Sequence, residues 1–208
     1  TCARDDFDYS VTATIDQYDI DSDSDGFADR EDDCDSTEGS STEDRKGCPD
    51  SDSDGWSDAG DRFPSDGTQW NDIDGDGYGD NPAPANLPDS CPTTFGNSDQ
   101  DRYGCRDSDL DGWSDPDPNA IYATQPWNIS DGADAFDTDS TQWSDFDSDG
   151  YGDNWDDPSW NESRAINGLG VWYVGATQPD ACPTRAGQSF EDRLGCPDSD
   201  GDGWSNPD

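Results

Sequence analysis

Residues 21–34 read DSDSDGFADREDDC, and this stretch decides how the chain folds. Aspartates stand at 21, 23, 25 and 29, a glycine at 26, an aromatic residue at 27, and a further aspartate at 32, two residues before a cysteine. Alternate carboxylates around a glycine turn aim their oxygens to one side of a tight loop, the arrangement by which about six to eight hard oxygens surround calcium. In that geometry Asp21, Asp23 and Asp25 offer carboxylates, Phe27 its backbone carbonyl, and Asp29 and Asp32 the ligands at positions 9 and 12. Gly26 supplies the sharp turn.

Working outward, the pattern D-x-D-x-D-G-aromatic-x-[DN] recurs five more times. Front loops open at 21, 72 and 145, each ahead of a cysteine-bounded stretch, and back loops open at 50, 107 and 198, each behind one. The corresponding ligands are Asp50, Asp52, Asp54, Trp56 and Asp58 in the first back loop, and Asp72, Asp74, Asp76, Tyr78 and Asp80 in the second front loop. They are Asp107, Asp109, Asp111, Trp113 and Asp115 in the second back loop, and Asp145, Asp147, Asp149, Tyr151 and Asp153 in the third front loop. The last loop offers Asp198, Asp200, Asp202 and Trp204. Position 12 falls directly on Asp61 in the first back loop, but on Ala83 and Pro118 in later ones. Alignment on the cysteines recovers Asp89 and Asp180, each two residues before a cysteine, and Asp134 stands before Phe136 as Asp61 stands before Phe63. Asp156 competes with Asp180 for the third front loop. One calcium ion per loop, six in all, is the expectation; magnesium, which keeps its waters and takes few carboxylates, fits less well.

Seven cysteines stand at 2, 34, 48, 91, 105, 182 and 196. The same spacing of 14 separates Cys34 from Cys48, Cys91 from Cys105 and Cys182 from Cys196, which predicts three local disulfides and leaves Cys2 over. The absence of histidine and of C-x₂-C spacing argues against zinc, and a bridged framework belongs to oxidising compartments. Each bridged stretch carries a mid-loop Gly (39, 96, 187) and an Asp-Arg pair (44/45, 101/102, 192/193), the latter expected as ion pairs.

Composition says why such staples are needed. With 52 acidic and 10 basic residues the net charge is −42, and only 27% of the chain is hydrophobic, against roughly 45–50% in ordinary domains. No conventional core fits these numbers, and apolar burial alone does not offset the ordering entropy. Asp outnumbers Glu 47 to 5, a bias that suits ligand geometry rather than general solvation. The field repels nucleic acid and anionic lipid and attracts multivalent cations. No apolar run is long enough for a membrane span. With no His, and with every Asp cluster fitting a metal loop, no catalytic seat is visible and the chain is not expected to be an enzyme.

Beyond position 12 the chain runs into Cys-Pro, Arg-Phe-Pro or Gly-rich sequence rather than an amphipathic helix, which excludes the EF-hand and dockerin arrangements. With D-x-D-x-D-G-x-x-D-x-x-D-x-C at 21–34, the chain resembles the thrombospondin type 3 repeat over about 21–208. The Trp-Ser-Asp and Thr-Gln-Trp signatures depart from the animal pattern and look more like arrays in secreted prokaryotic surface proteins. The resemblance implies a mostly irregular chain, a calcium- and disulfide-stabilised tandem-repeat rod with little regular secondary structure, and the ligand roles given above.

The expected organisation is an N-terminal segment 1–20, repeat units 21–71, 72–144 and 145–208, and insertions at 116–131 and 157–179. The second insertion holds the one β-like apolar run and is expected to form a short hairpin within 165–179. Each insertion carries a sequon, at Asn128 and Asn161, so covalent glycans are expected outside the array. The position-7 aromatics are expected to pack on neighbouring units as a thin spine, and sugar platforms, with Trp127 and Trp172 as candidates, are the sharper alternative. Starting at Thr1 without any Met, the chain reads as processed or as part of a longer one. Asp208 ends it before the last loop has a position 12, while Asp5-Asp6-Phe7-Asp8 resembles the closing segment at 134–137. Head-to-tail contact with copies of itself, Asp5 or Asp6 completing a neighbour's site near Cys2, is therefore expected. The functional expectation is an extracellular structural stalk or filament of the cell surface. The alternatives are a carbohydrate- or protein-binding adhesion module, or a calcium reservoir or mineral-organising polyanion.

Overall fold

The computed structural model describes residues 20–121, 123 and 125–207; Cys2, Asp5, Asp6 and Asp208, and with them the expected junction, lie outside the described residues. The fold is mostly irregular. Among the described residues, regular elements are the 3-10 turns Ile129–Asp131 and Pro158–Trp160 and one α-helix, α1, Asn161–Asn167. Among the same residues, strand pairing is limited to isolated bridges. The chain divides into two compact units between Asn71 and Asp72.

The irregular backbone is organised by aspartate side chains that satisfy amides no helix or sheet would satisfy. In the first loop Asp21 accepts from the amides of Ser24 at 2.7 Å and Gly26 at 3.1 Å, Asp25 from Phe27 at 2.8 Å, and Asp29 from Ser22 at 2.8 Å. The same bonds recur in the last loop, where Asp198 accepts from Gly201 and Gly203, Asp202 from Trp204, and Asn206 from Ser199. Position 6 is left-handed in every loop, with φ from 92° to 102°, which explains its glycine. Position 4 is left-handed too, even where it is Ser24, Ser53, Leu110 or Ser148 at φ 65–70°, and the position-1 carboxylate fixes it there by accepting that residue's amide.

The bridges Cys34–Cys48, Cys91–Cys105 and Cys182–Cys196 close with Cα atoms 5.0–5.1 Å apart. They form what core there is, with Cys48, Cys91, Cys105 and Cys196 buried beside Ser41, Ser98 and Ser189. The three serine hydroxyls donate to the carbonyls of Arg45, Arg102 and Arg193 and accept the amides of Cys48, Cys105 and Cys196. Each bridged stretch also grips its two loops. The mid-loop amides of Gly39, Gly96 and Gly187 donate to Asp25, Asp76 and Asp149 of the front loops at 3.0, 3.1 and 2.9 Å. The Gly55, Gly112 and Gly203 carbonyls of the back loops accept paired amides from 42/43, 99/100 and 190/191.

Three expectations need correction. No hairpin forms over 165–179: its start belongs to α1, and Trp172 instead makes a parallel bridge with Trp155. Asp157 caps Pro158–Trp160 by accepting from Ser159 at 2.8 Å, and Gly168 ends α1 at φ 64°; these turn signals outweigh the β-like run. The Asp-Arg aspartates bond to the back loops, Asp44, Asp101 and Asp192 each accepting both the amide and the hydroxyl of Ser57, Ser114 and Ser205. The position-7 rings pair inside their own repeat, Trp56 stacking on Trp70 at 6.3 Å, Trp113 on Trp143 at 6.2 Å and Tyr78 lying 5.6 Å from Tyr103, and one ring contact crosses to the next repeat, Trp143 meeting Tyr173 edge-on at 5.8 Å.

The close approach at the mid-loop glycines is testable. A methyl group at Gly96 would overlap the Cys105 carbonyl, which is backbone and has no room to give. Gly96→Ala should prevent closure of Cys91–Cys105, read as two additional free thiols on the folded protein, while the other two bridges still form.

Candidate metal centres

Once the loop amides are served, a second set of carboxylate oxygens is left over. At position 3, buried oxygens of Asp23, Asp52, Asp74, Asp109 and Asp147 have no hydrogen-bond partner in the protein. The same holds for the second oxygens of Asp54 and Asp111 at position 5 and Asp153 at position 9. Orphaned buried acceptors cost about 1–3 kcal/mol each, more when charged, so an accumulation of them calls for an ordered water or an ion as partner.

Position 12 completes this set, and the insertions do not disturb it. The amides of Asp61, Asp89, Asp134 and Asp180 donate to the carbonyls of position 8, Ser57, Gly79, Ser114 and Gly152, at 2.8–2.9 Å. One oxygen of Asp32, Asp61, Asp89, Asp134 and Asp180 then accepts the amide two residues on, at Cys34, Phe63, Cys91, Phe136 and Cys182. The other oxygen of Asp61, Asp89 and Asp134 is buried without a partner. Asp180, 1% exposed, takes this place in the third front loop, whereas Asp156 is exposed. Four or five carboxylates thus converge in loops interrupted by up to 23 inserted residues, 157–179.

The triplets Asp21/Asp23/Asp25, Asp50/Asp52/Asp54, Asp72/Asp74/Asp76, Asp107/Asp109/Asp111 and Asp145/Asp147/Asp149 each bring ligand oxygens within 4.8 Å of one another. That is close to twice the calcium–oxygen distance of about 2.3–2.6 Å. Hard oxygens from each triplet, the orphaned oxygens beside it and the position-12 carboxylate make a donor set that fits calcium. The last loop repeats the fold through Asn206. No protein-family model and no curated protein matches the chain; the Asp-rich triplets and three disulfides are compatible with calcium-binding repeats.

The remaining candidates fall elsewhere. Asn128 donates from its amide group to Asp131 at 3.0 Å, and Asn161, exposed at the start of α1, accepts the Trp155 indole N–H at 2.8 Å. Trp127 is engaged, its indole donating to Asp101 at 3.3 Å and its ring covered by Arg102 at 5.1 Å. Trp172 is 49% exposed. Two features escaped the sequence reading. Gln142 of the Thr-Gln-Trp signature is buried, its side chain spanning Asn154 and the Thr177 carbonyl; repetition of Thr-Gln-Trp was the available signal. Arg164, buried in the second insertion, had none.

Burial first, and neighbouring carboxylates after it, push the cation-free ligands upward: Asp89 to about 7, Asp134 and Asp180 to about 8, Asp111 and Asp153 to about 6. The ordinary value is 3.8, so the folded, cation-free chain retains protons that an unfolded chain has lost. The stability these five groups contribute is fully present below about pH 4 and is lost as the pH rises through about 6 to 8. A cation competes for the same oxygens. Its apparent affinity should therefore fall, by up to about tenfold per unit for each carboxylate that must deprotonate, between pH 8 and pH 6. Calorimetry in buffers of different ionisation enthalpy should detect the released protons.

Proposed function

We propose that this chain is an extracellular structural protein of tandem calcium-binding repeats, related in kind to the thrombospondin type 3 array. In this reading calcium ions and disulfides take the place of an apolar core, and the chain serves as a glycosylated stalk or filament of the cell surface. The observation that carries the reading is the set of buried carboxylate oxygens left without partners in successive loops. Three disulfides support an oxidising compartment. The exposed Asn161 leaves room for a bulky glycan. A domain with this little buried apolar surface takes its stability from the metal it binds.

A binding role on the same scaffold is favoured by one observation. A cleft of about 730 Å³ in the second unit is walled by Ile129 and Ser130 of one insertion and by residues 168–171 of the other, with Trp113, Trp143 and Phe146 between them. The volume lies within the range of ligand pockets, about 300–1,000 Å³. Indole rings beside serine hydroxyls suit a neutral saccharide, and the acidic field disfavours anionic ones.

Chelation tests the first reading. Small-angle scattering should show the radius of gyration rising roughly twofold or more toward that of an unfolded chain when calcium is removed, and returning when calcium, but not magnesium, is restored. An unchanged profile rejects the structural calcium role. For the cleft, neutral oligosaccharides should quench tryptophan fluorescence in the calcium-loaded protein, and Trp143→Ala should abolish the effect; no response to any neutral saccharide rejects the second reading.

A further inference from the structure

Arg164 lies in α1, 3% exposed, yet neither of its terminal nitrogens has a hydrogen-bond partner in the protein. Its guanidinium lies over two indoles, 5.5 Å from the Trp155 ring centroid and 5.2 Å from that of Trp160. The negative charges acting on it are those of Asp180 and Asp153, positions 12 and 9 of the third front loop, both almost fully buried. A guanidinium stripped of water is tolerated only where charge and ring faces replace the solvent. Here those carboxylates and indoles replace part of it, while burial still outweighs them and holds the guanidinium below its ordinary range.

The insertion is fixed against the loop and holds Arg164 in place. The Trp155 amide donates to the Val171 carbonyl at 3.1 Å, the Tyr173 amide to Trp155 at 2.8 Å, and the Val171 amide to the Asn154 side chain at 2.9 Å. Gly170 packs so closely on the Asp153 carbonyl that a side chain there would overlap it. The other front loops have no cation so fully buried beside them: the half-buried Arg102 acts on Asp101 and Asp117 ahead of Asp89, the position-12 residue of the second. Between positions 9 and 12 the second has only 81–88, NPAPANLP, without a basic residue. The first has Arg30, which is exposed and engages Glu31 at 3.2 Å.

We propose that Arg164 is a built-in counter-charge for the third front loop, a fixed cation that orders Asp153 and Asp180 in advance and lowers the affinity of that loop for calcium relative to its counterparts. The inference rests on the calcium reading above. A positive charge beside a cation site stabilises the empty loop more than the filled one, since it attracts the carboxylates in both states but repels the ion in one. The third unit then keeps more of its order at low calcium and fills last.

The test is a calcium titration of the full chain followed by the amide resonances of Gly96 and Gly187, which donate to Asp76 and Asp149 in the second and third front loops. In the wild type the Gly187 midpoint should lie at higher calcium than that of Gly96. Arg164→Gln should move the Gly187 midpoint to lower calcium by roughly tenfold and leave Gly96 in place, whereas Arg164→Lys, which keeps the charge, should stay near wild type. In chelator, the Gly187 amide should exchange more slowly than the Gly96 amide, and Arg164→Gln should remove the difference. A wild-type Gly187 midpoint at or below that of Gly96, a Gly187 midpoint unmoved or raised in Arg164→Gln, or equal shifts in the Gln and Lys variants overturns the proposal. If Arg164→Gln does not fold in saturating calcium, the wild-type and Arg164→Lys midpoints decide. No response of either amide to calcium overturns the calcium reading itself and this proposal with it.

Discussion

Carboxylates taken out of water and brought face to face repel one another, and the rest of this chain is arranged around that repulsion. Each loop uses one part of its aspartate oxygens to cap its own amides, as Asp21 does for Ser24 and Gly26, and the first five loops also bury oxygens with nothing in the protein to meet them. The first set ties the loop's backbone together; the second leaves it able to hold a metal ion. The disulfides do not relieve the repulsion. They hold Gly39, Gly96 and Gly187 where each can bond to the position-5 carboxylate of its front loop, so the bridged stretch and the metal loop shape one another.

A core built this way differs in kind from an apolar one. Its fully buried members include Gln69, Gln142, Asn154 and the serines beside the bridges, groups that would be costly in an oily interior unless every donor and acceptor were matched. Hydrogen bonding is directional, so such a centre admits few alternative packings. The aromatic rings contribute at the margin, as local pairs such as Trp56 on Trp70 and one run of three, Trp113, Trp143 and Tyr173, that reaches from one repeat into the next.

The loops, the bridges and the choice of Asp89, Asp134 and Asp180 at position 12 were legible because each is encoded by short, repeated spacing. Alignment on the cysteines saw past insertions that a direct count could not. Other features depended on contacts far apart in sequence. Nothing around Arg164 says that two indoles and two distant aspartates will enclose it. The Val-Trp-Tyr-Val run looks like a strand until Gly168 and Gly170, both left-handed at φ 64° and 63°, are seen to bring it back alongside Trp155. The Asp-Arg pairs invited an ion-pair reading because they are adjacent, whereas Ser57, Ser114 and Ser205 offer two donors each from thirteen residues away.

The bond from the position-12 amide to the position-8 carbonyl has the same geometry whether the residues join directly, as at Ser57 and Asp61, or across a long detour, as at Gly152 and Asp180. It acts as a clasp that fixes both ends of whatever lies between them. Because loop-closure entropy grows only logarithmically, doubling the detour costs about 0.6 kcal/mol, little beside what the carboxylates and the bridge contribute. New sequence entering between the clasped residues leaves the ligand set intact, so the repeat is a mounting on which surface segments can be exchanged and lengthened independently of the frame that carries them.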